Sequence, residues 1–327
     1  MNQATKFAIG FVTLTLNILC LTGCNQIQFG QTRGTVKNYS WRHNDSSLAL
    51  VNNNKIVWQF NFDEKQSKPY FHPISLTDGT ELTWLRPPDH PWHYGLWFSW
   101  KFIDGVNYWE EDSNTGKAAG TTEWDNVKVQ THFDGSADIT MDLSYHEPNK
   151  PTVLSEKRTV VISTPDDSGG YIMDWTSVFT CVSEKLELNR TPLPGEKDGQ
   201  SWGGYAGLSL RIRKSVQDAQ FTGTKGPVTL KDGRFRGNDV AMEYSGIVND
   251  KIFGVAMFDH PDNLNSPTPW YLIDTETMDF FTPAVICYAP HIMSKGETLT
   301  LKYRIIIHSG RFDSNELKEK YKLFVAD

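Results

Sequence analysis

The chain has 327 residues and a formal net charge of −7, with charged residues making up 22%. That length can bury a sizeable core, as one large all-β domain or two ordinary ones. The acidic balance leaves no basic stripe for phosphate contacts, which argues against a nucleic-acid partner.

In chain order, Lys6, an apolar run over 7–21 and then Leu21-Thr22-Gly23-Cys24 read as a bacterial lipoprotein signal. The run is shorter than the ~20 residues a bilayer-spanning helix needs, and Asn17 interrupts it. Cleavage before Cys24 and lipid attachment to it are therefore expected. Residues 1–23 are assigned to the signal, 24–37 to a lipidated, polar tether, and 38–327 to one β-sandwich domain, with Gly195–Gln200 as the best boundary if there are two. Asn25, standing where aspartate would retain the protein, favours an outer membrane, so the expected location is the cell envelope, with the membrane met through the lipid.

Beyond the tether, period-two or continuous β-type runs are expected near 46–51, 55–62, 80–85, 92–101, 121–132, 136–146, 152–164, 170–182, 203–213, 226–231, 240–247, 251–259, 269–274, 280–288 and 297–308. Turn chemistry separates them, as in Asn52-Asn53-Asn54, Asp134-Gly135 and Lys231-Asp232-Gly233. One helix is expected, at the C-terminus. Asp313 stands three residues before Glu316 as in a capping box, and Leu317, Tyr321 and Phe324 form one apolar stripe that should dock on a sheet edge. The predicted fold is thus a large antiparallel β-sandwich with a short C-terminal helix. Cys181 and Cys287 sit in apolar strand contexts where a thiol acts as a small buried hydrophobe, and no disulfide framework is evident.

Chemistry concentrates in the segment 86–100. Prolines at 87, 88 and 91 forbid a helix, which puts Asp89 and His90 on a rigid loop leading into a strand. Alternation then places Trp92, Tyr94, Leu96, Phe98 and Trp100 in the core, and His93, Gly95, Trp97 and Ser99 on the other face, as a polar cleft floor. A second strand puts Ala206, Leu208, Leu210 and Ile212 inward, with Tyr205, Arg211 and Arg213 on the opposite face. Guanidinium groups there suit an anionic or polyhydroxylated ligand. Tyr70 and His72 share one side of a short extended segment, and the 259–270 stretch brings His260, Asn263 and Trp270. Asp89, His90 and His93 also spell a possible metal triad, but their spacing is not that of a helical zinc site and no cysteine accompanies them. No metal and no cofactor is assigned.

Three blocks carry a family resemblance: Pro87-Pro88-Asp89-His90-Pro91-Trp92-His93-Tyr94-Gly95-Leu96-Trp97, Gly203-Gly204-Tyr205-Ala206-Gly207-Leu208, and Asp259-His260-Pro261 followed by Pro267-Thr268-Pro269-Trp270. Over most of 65–310 the chain resembles the bacterial family labelled methane oxygenase PmoA. A methane oxygenase subunit needs several membrane-spanning helices, and none is expected after the signal, so methane oxidation is set aside. The closing stretch 295–304 is similar to the last strands of galactose-mutarotase-like supersandwiches. That similarity implies a carbohydrate ligand on a concave sheet, with histidine, tyrosine, arginine or carboxylate groups exchanging protons.

The expected function is a lipoprotein enzyme that acts on glycans or oligosaccharides by proton transfer at a sugar carbon, as an epimerase, lyase or dehydratase. His90 and His93 are the candidate acid and base, Tyr205 or His260 their partner, Arg211 and Arg86 the charge stabilisers, and Trp97 and Trp270 the stacking platforms, with Asn263 beside the ligand. Three alternatives stand beside it. One is a glycoside hydrolase using Asp89 with Glu110 or Glu111, which would need two carboxylates about 5–10 Å apart. The others are a non-catalytic glycan-binding lipoprotein and a metal-dependent oxidoreductase.

Overall fold

The computed structural model describes residues 39–326, so the signal, Cys24 and the whole tether lie outside the described residues. Two nine-stranded antiparallel sheets face each other. The first runs, by hydrogen-bonded neighbours, Tyr39–Asn44, Ser47–Asn52, Lys55–Asn61, Tyr70–Ile74, Leu96–Ser99, Gly207–Arg211, Met278–Pro283, Pro269–Thr275 and Arg234–Asn238. The second runs Gly226–Pro227, Gln217–Gly223, Ala241–Val248, Lys251–Asp259, Thr298–Ser309, Tyr171–Cys181, Leu154–Ile162, Ala137–His146 and Thr121–Thr131. A four-stranded sheet joins His291–Ser294, Lys185–Asn189, Phe102–Ile103 and Val106–Asn107.

Period-two alternation builds the second sheet as predicted. Along Tyr171–Cys181 and Ala137–His146 every second side chain is buried, because successive Cβ atoms point to opposite faces. The buried set meets the inner face of the first sheet: Phe71 lies 6.1 Å from Trp175 and Phe98 5.2 Å from Phe179 between ring centroids. This main core also holds Leu96, Leu208, Leu210, Trp270 and Phe281.

The first sheet departs from simple alternation. Leu96–Ser99 and Gly207–Arg211 are buried on both faces, and the outer face carries a second apolar cluster: Tyr70, Tyr94, Trp97, Trp109, Tyr271, Ile273 and Phe280, with Trp92 and Tyr205 packed against it. The expected strand over 92–101 therefore shrinks to four residues. Gly95 is the reason. Its φ of +72° turns the chain, and a Cβ there would come within 2.6 Å of the Phe71 carbonyl oxygen, so only glycine fits. The bend moves Trp92 and Tyr94 out of the main core, where alternation placed them, onto the outer cluster.

Elsewhere the expected 80–85 strand is reduced to isolated bridges at Glu81, Thr83 and Leu85. The strands Gln217–Gly223, Arg234–Asn238 and His291–Ser294 carry too little apolar alternation to announce themselves, whereas Lys185–Asn189 alternates strictly but is only five residues long. The helix Ser314–Ala326 forms behind the predicted cap: Asp313 Oδ1 accepts the Glu316 amide at 2.9 Å and Glu316 Oε2 accepts the Asp313 amide at 2.8 Å. Leu317 and Phe324 pack with Ala256, Phe258 and Ile306. Those residues belong to central strands, so the helix covers the outer face of the second sheet and not its edge. Cys181 and Cys287 are buried free thiols.

Candidate functional site

On the outer cluster opens a cleft of about 310 Å³, walled by Trp92, Trp109, Trp202, Tyr205, Tyr271 and Phe280. His90, His93, Glu110 and Arg234 supply its ionisable groups. That volume is at the small end of ligand pockets.

The loop before Gly95 delivers the histidines. The rigid Pro87–Pro91 turn is closed by His90 N–H to the Pro87 carbonyl (3.0 Å) and His93 N–H to the His90 carbonyl (3.0 Å), which stacks the two rings at 4.6 Å between centroids. They differ in environment. His93 is 4% exposed, wedged against Trp97 and Phe280 at 4.9 and 5.3 Å, and its Nδ1 has no partner. Burial, with the nearby charges of His90, Arg211 and Lys68, holds it well below the usual histidine range, so it stays neutral. His90 keeps about a third of its side-chain surface in solvent. Its Nδ1 lies 2.9 Å from Asp89 Oδ2, and Asp89 takes both oxygens to Arg211 Nη2 at 2.8–2.9 Å.

Arg211 is fully buried. Its Nη2 also donates to the Thr277 carbonyl, while Nε and Nη1 lack partners. Burial pushes Asp89 up, but the His90 hydrogen bond and the Arg211 charge outweigh it and leave the carboxyl below its ordinary range. The result is an ordered relay in which Arg211 fixes Asp89 and Asp89 fixes the His90 tautomer.

Glu110 anchors a second polar group. It accepts the Tyr205 hydroxyl at 2.6 Å and the Asn107 amide at 2.7 Å, and pairs with Lys101. Burial alone would raise Glu110, but Lys101 and these hydrogen bonds hold it below the usual carboxylate range, and burial in turn raises the Tyr205 hydroxyl. Glu110 is thus a charged acceptor inside an aromatic wall. Behind Trp109, the buried Glu111 accepts the Tyr94 hydroxyl at 2.6 Å and meets Arg86 Nη1 at 3.1 Å and Lys68 at 3.9 Å.

The sequence-predicted residues divide accordingly. His90, His93 and Tyr205 line the cleft. Arg211 and Arg86 stand behind it, each committed to a carboxylate, so neither is free to meet a ligand anion. Trp97 is wholly buried beneath His93 and offers no stacking surface. Trp270 faces the opposite way: it is buried in the main core, with its indole N–H on the Asp239 carbonyl at 2.8 Å. His260 packs on Phe324 of the helix at 5.4 Å, and Asn263 ties Asp259 to the Lys302 carbonyl. All three lie away from the cleft. Among the described residues, no group of three or more His, Cys, Asp or Glu side chains is arranged to hold a metal ion, and no helix is long and apolar enough to cross a membrane.

Several lining residues have weak sequence signals. Trp202 is half exposed, an unusual state for tryptophan, and precedes the Gly203-Gly204 turn. Tyr271 and Ile273 alternate with Trp270 and Leu272, which could have placed them on this face. Glu110 reads as a solvated loop residue until Tyr205, 95 positions away, closes on it.

A family model described as a family of unknown function, DUF6807, matches residues 47–322, and the chain belongs to that family. The match brings no activity with it, and the methane oxygenase label does not appear in its description. No curated protein matches the sequence. Among solved structures, an α-galactosidase from Lactobacillus brevis is similar at 11% identity and a TM-score of 0.42, over 88% of this chain and 41% of that one. A galactose mutarotase related enzyme from Lactobacillus acidophilus is similar at 9% identity and a TM-score of 0.41, over 84% of this chain and 99% of its own. A polysaccharide lyase follows at 9% identity and a TM-score of 0.29, over 86% of this chain and 34% of the lyase. This chain therefore spans less than half the length of the first and about a third of the last.

Proposed function

We propose that this member of a family of unknown function is a carbohydrate-active enzyme of the cell envelope, tethered through a lipid on Cys24, that moves a proton at a sugar carbon. The observation that carries the reading is one cleft in which a carboxylate-held histidine and a charged glutamate both sit within aromatic walls. Aromatic faces stack on the apolar face of a sugar ring, while acceptors and donors between them take its hydroxyls.

Asp89 holds the Nδ1 proton of His90 and so leaves Nε2 as the atom that accepts or returns a proton. Glu110, kept charged by Lys101 and Asn107, is an acceptor throughout and serves as the second proton-transfer group or as the anchor of a sugar hydroxyl. Tyr205, held protonated, donates to Glu110 and fixes its orientation. His93 is given no proton to carry, because a neutral, buried imidazole stacked under His90 acts as its support. The envelope location rests on the signal read at residues 6–24.

The test incubates the full chain, kept soluble in non-ionic detergent, with neutral and acidic oligosaccharides in deuterated water, and follows products by mass spectrometry and proton NMR. Turnover or carbon-bound deuterium is expected, with His90→Gln and Glu110→Gln each losing it while still binding. Binding without turnover in the native protein would make it a glycan-binding lipoprotein. Neither binding nor turnover across the panel would reject the reading.

A further inference from the structure

We infer that the cleft selects a sugar unit bearing a carboxylate, a uronic acid, and that Arg234 reads it; this rests on the cleft being a sugar site. Each carboxylate around the cleft already has a basic partner. Glu110 has Lys101, Asp89 has Arg211, and Glu111 has Arg86 and Lys68. His93 is neutral. Arg234 is the one Arg or Lys side chain lining the cleft, and among the described residues no carboxylate pairs with it. Its contacts are the Tyr271 hydroxyl at 3.3 Å and the Asp232 carbonyl at 3.5 Å, both neutral and both long.

Its neighbour shows what an employed arginine looks like on the same strand. Arg236, two residues on and so on the same face, lies over the Tyr271 ring at 4.1 Å and donates to the carbonyls of Ser201 and Gly203 at 2.7–3.1 Å. It thereby pins the loop that presents Trp202. The register sets Arg234 opposite Ile273 and Arg236 opposite Tyr271, two cleft-lining positions. Arg234 thus presents a planar guanidinium fork to a small cavity whose carboxylates already have basic partners. A guanidinium of that kind matches a carboxylate with two parallel hydrogen bonds, while Trp202 and Trp92 offer the apolar surface a pyranose needs. The anion site foreseen at Arg211 or Arg86 is therefore transferred to Arg234.

The experiment measures binding of the full chain in detergent by tryptophan fluorescence and calorimetry, using oligogalacturonate, its methyl ester, the neutral galactose oligomer and a sulfated galactose oligomer. The acid is expected to bind at least tenfold tighter than its methyl ester, with an advantage that shrinks as salt rises. Arg234→Gln should erase the preference, so that acid and methyl ester bind alike, and Arg234→Lys should keep only part of it. Equal binding of acid and ester, or a preference that survives Arg234→Gln, overturns the inference. Sulfate binding as tight as the uronate overturns the carboxylate assignment. The underlying sugar reading is tested separately by Trp202→Ala. If neutral oligomers bind and that variant loses them, a failed acid preference removes only the inference; if no oligomer binds, both fall.

Discussion

The Arg211–Asp89–His90 relay makes a quantitative demand on Asp89. In Asp89→Asn the shape survives and the charge goes, leaving Arg211 with the Thr277 carbonyl as its principal remaining acceptor, since its Nε and Nη1 already lack partners. Breaking a buried pair from one side costs about 3–5 kcal/mol. Asp89 keeps 27% of its side-chain surface in water whereas Arg211 keeps none, so part of the pair's strength is already screened, and about 2–3 kcal/mol is the expected loss. At about 2–4 °C per kcal/mol for a domain of this size, the melting temperature should fall by roughly 4–12 °C. Replacing both residues, Arg211→Met with Asp89→Asn, removes the stranded charge and should recover much of that loss. The acid limb supplies a second readout. Asp89 sits below its ordinary value of 3.8, so its stabilisation is present above the unfolded pKa and is lost as pH falls below about 4; in Asp89→Asn that component of acid unfolding should be missing. Thermal melts from pH 3 to 7 check both. A shift of less than 2 °C at pH 7, or a double variant as weak as the sum of the singles, would refute the idea that the pair is a coupled, buried unit.

Three further outcomes follow from the same geometry. Trp202→Ala should leave the melting temperature nearly unchanged and remove sugar binding, because the side chain is half exposed at the cleft, whereas Trp270→Ala should cost about 3–5 kcal/mol through a cavity in the main core; calorimetry and fluorescence titration separate them. His93 is held well below 6.5 and His72 is pushed down to about 4 by burial, so the unfolded chain binds more protons below pH 6.5 and stability should fall from there toward pH 4 by up to about 1.4 kcal/mol per unit for each histidine. Denaturant melts of His93→Gln should show the shallower slope, and an unchanged slope would mean that His93 charges in the folded state. Cys24→Ser should move the protein from the membrane to the soluble fraction; retention after a high-salt wash would point to an uncleaved anchor.

What the sequence determined by itself is what local rules govern. Alternation in 137–146 and 171–181, turn residues between strands, and the Asp313–Glu316 cap each depend on neighbours within a few positions, and each formed where the pattern put it. The sequence also marked 86–100 as chemically dense, since three prolines, two histidines and an aspartate in one stretch are visible without a fold. The tertiary structure decided which face each residue served. One left-handed glycine, Gly95, broke the alternation that would have buried Tyr94 and Trp92 with Leu96, and so brought Trp92 to the cleft wall. Partnerships across 95 positions for Tyr205 with Glu110, and 122 for Arg211 with Asp89, turned a bland loop glutamate into a cleft acceptor and a candidate anion-binding arginine into a buried support. Trp270 and Tyr271 are adjacent in the chain and lie on opposite sides of the sheet. A period-two pattern shows that they must separate; only the packing of the second sheet against one face fixes which of them is core and which lines the cleft.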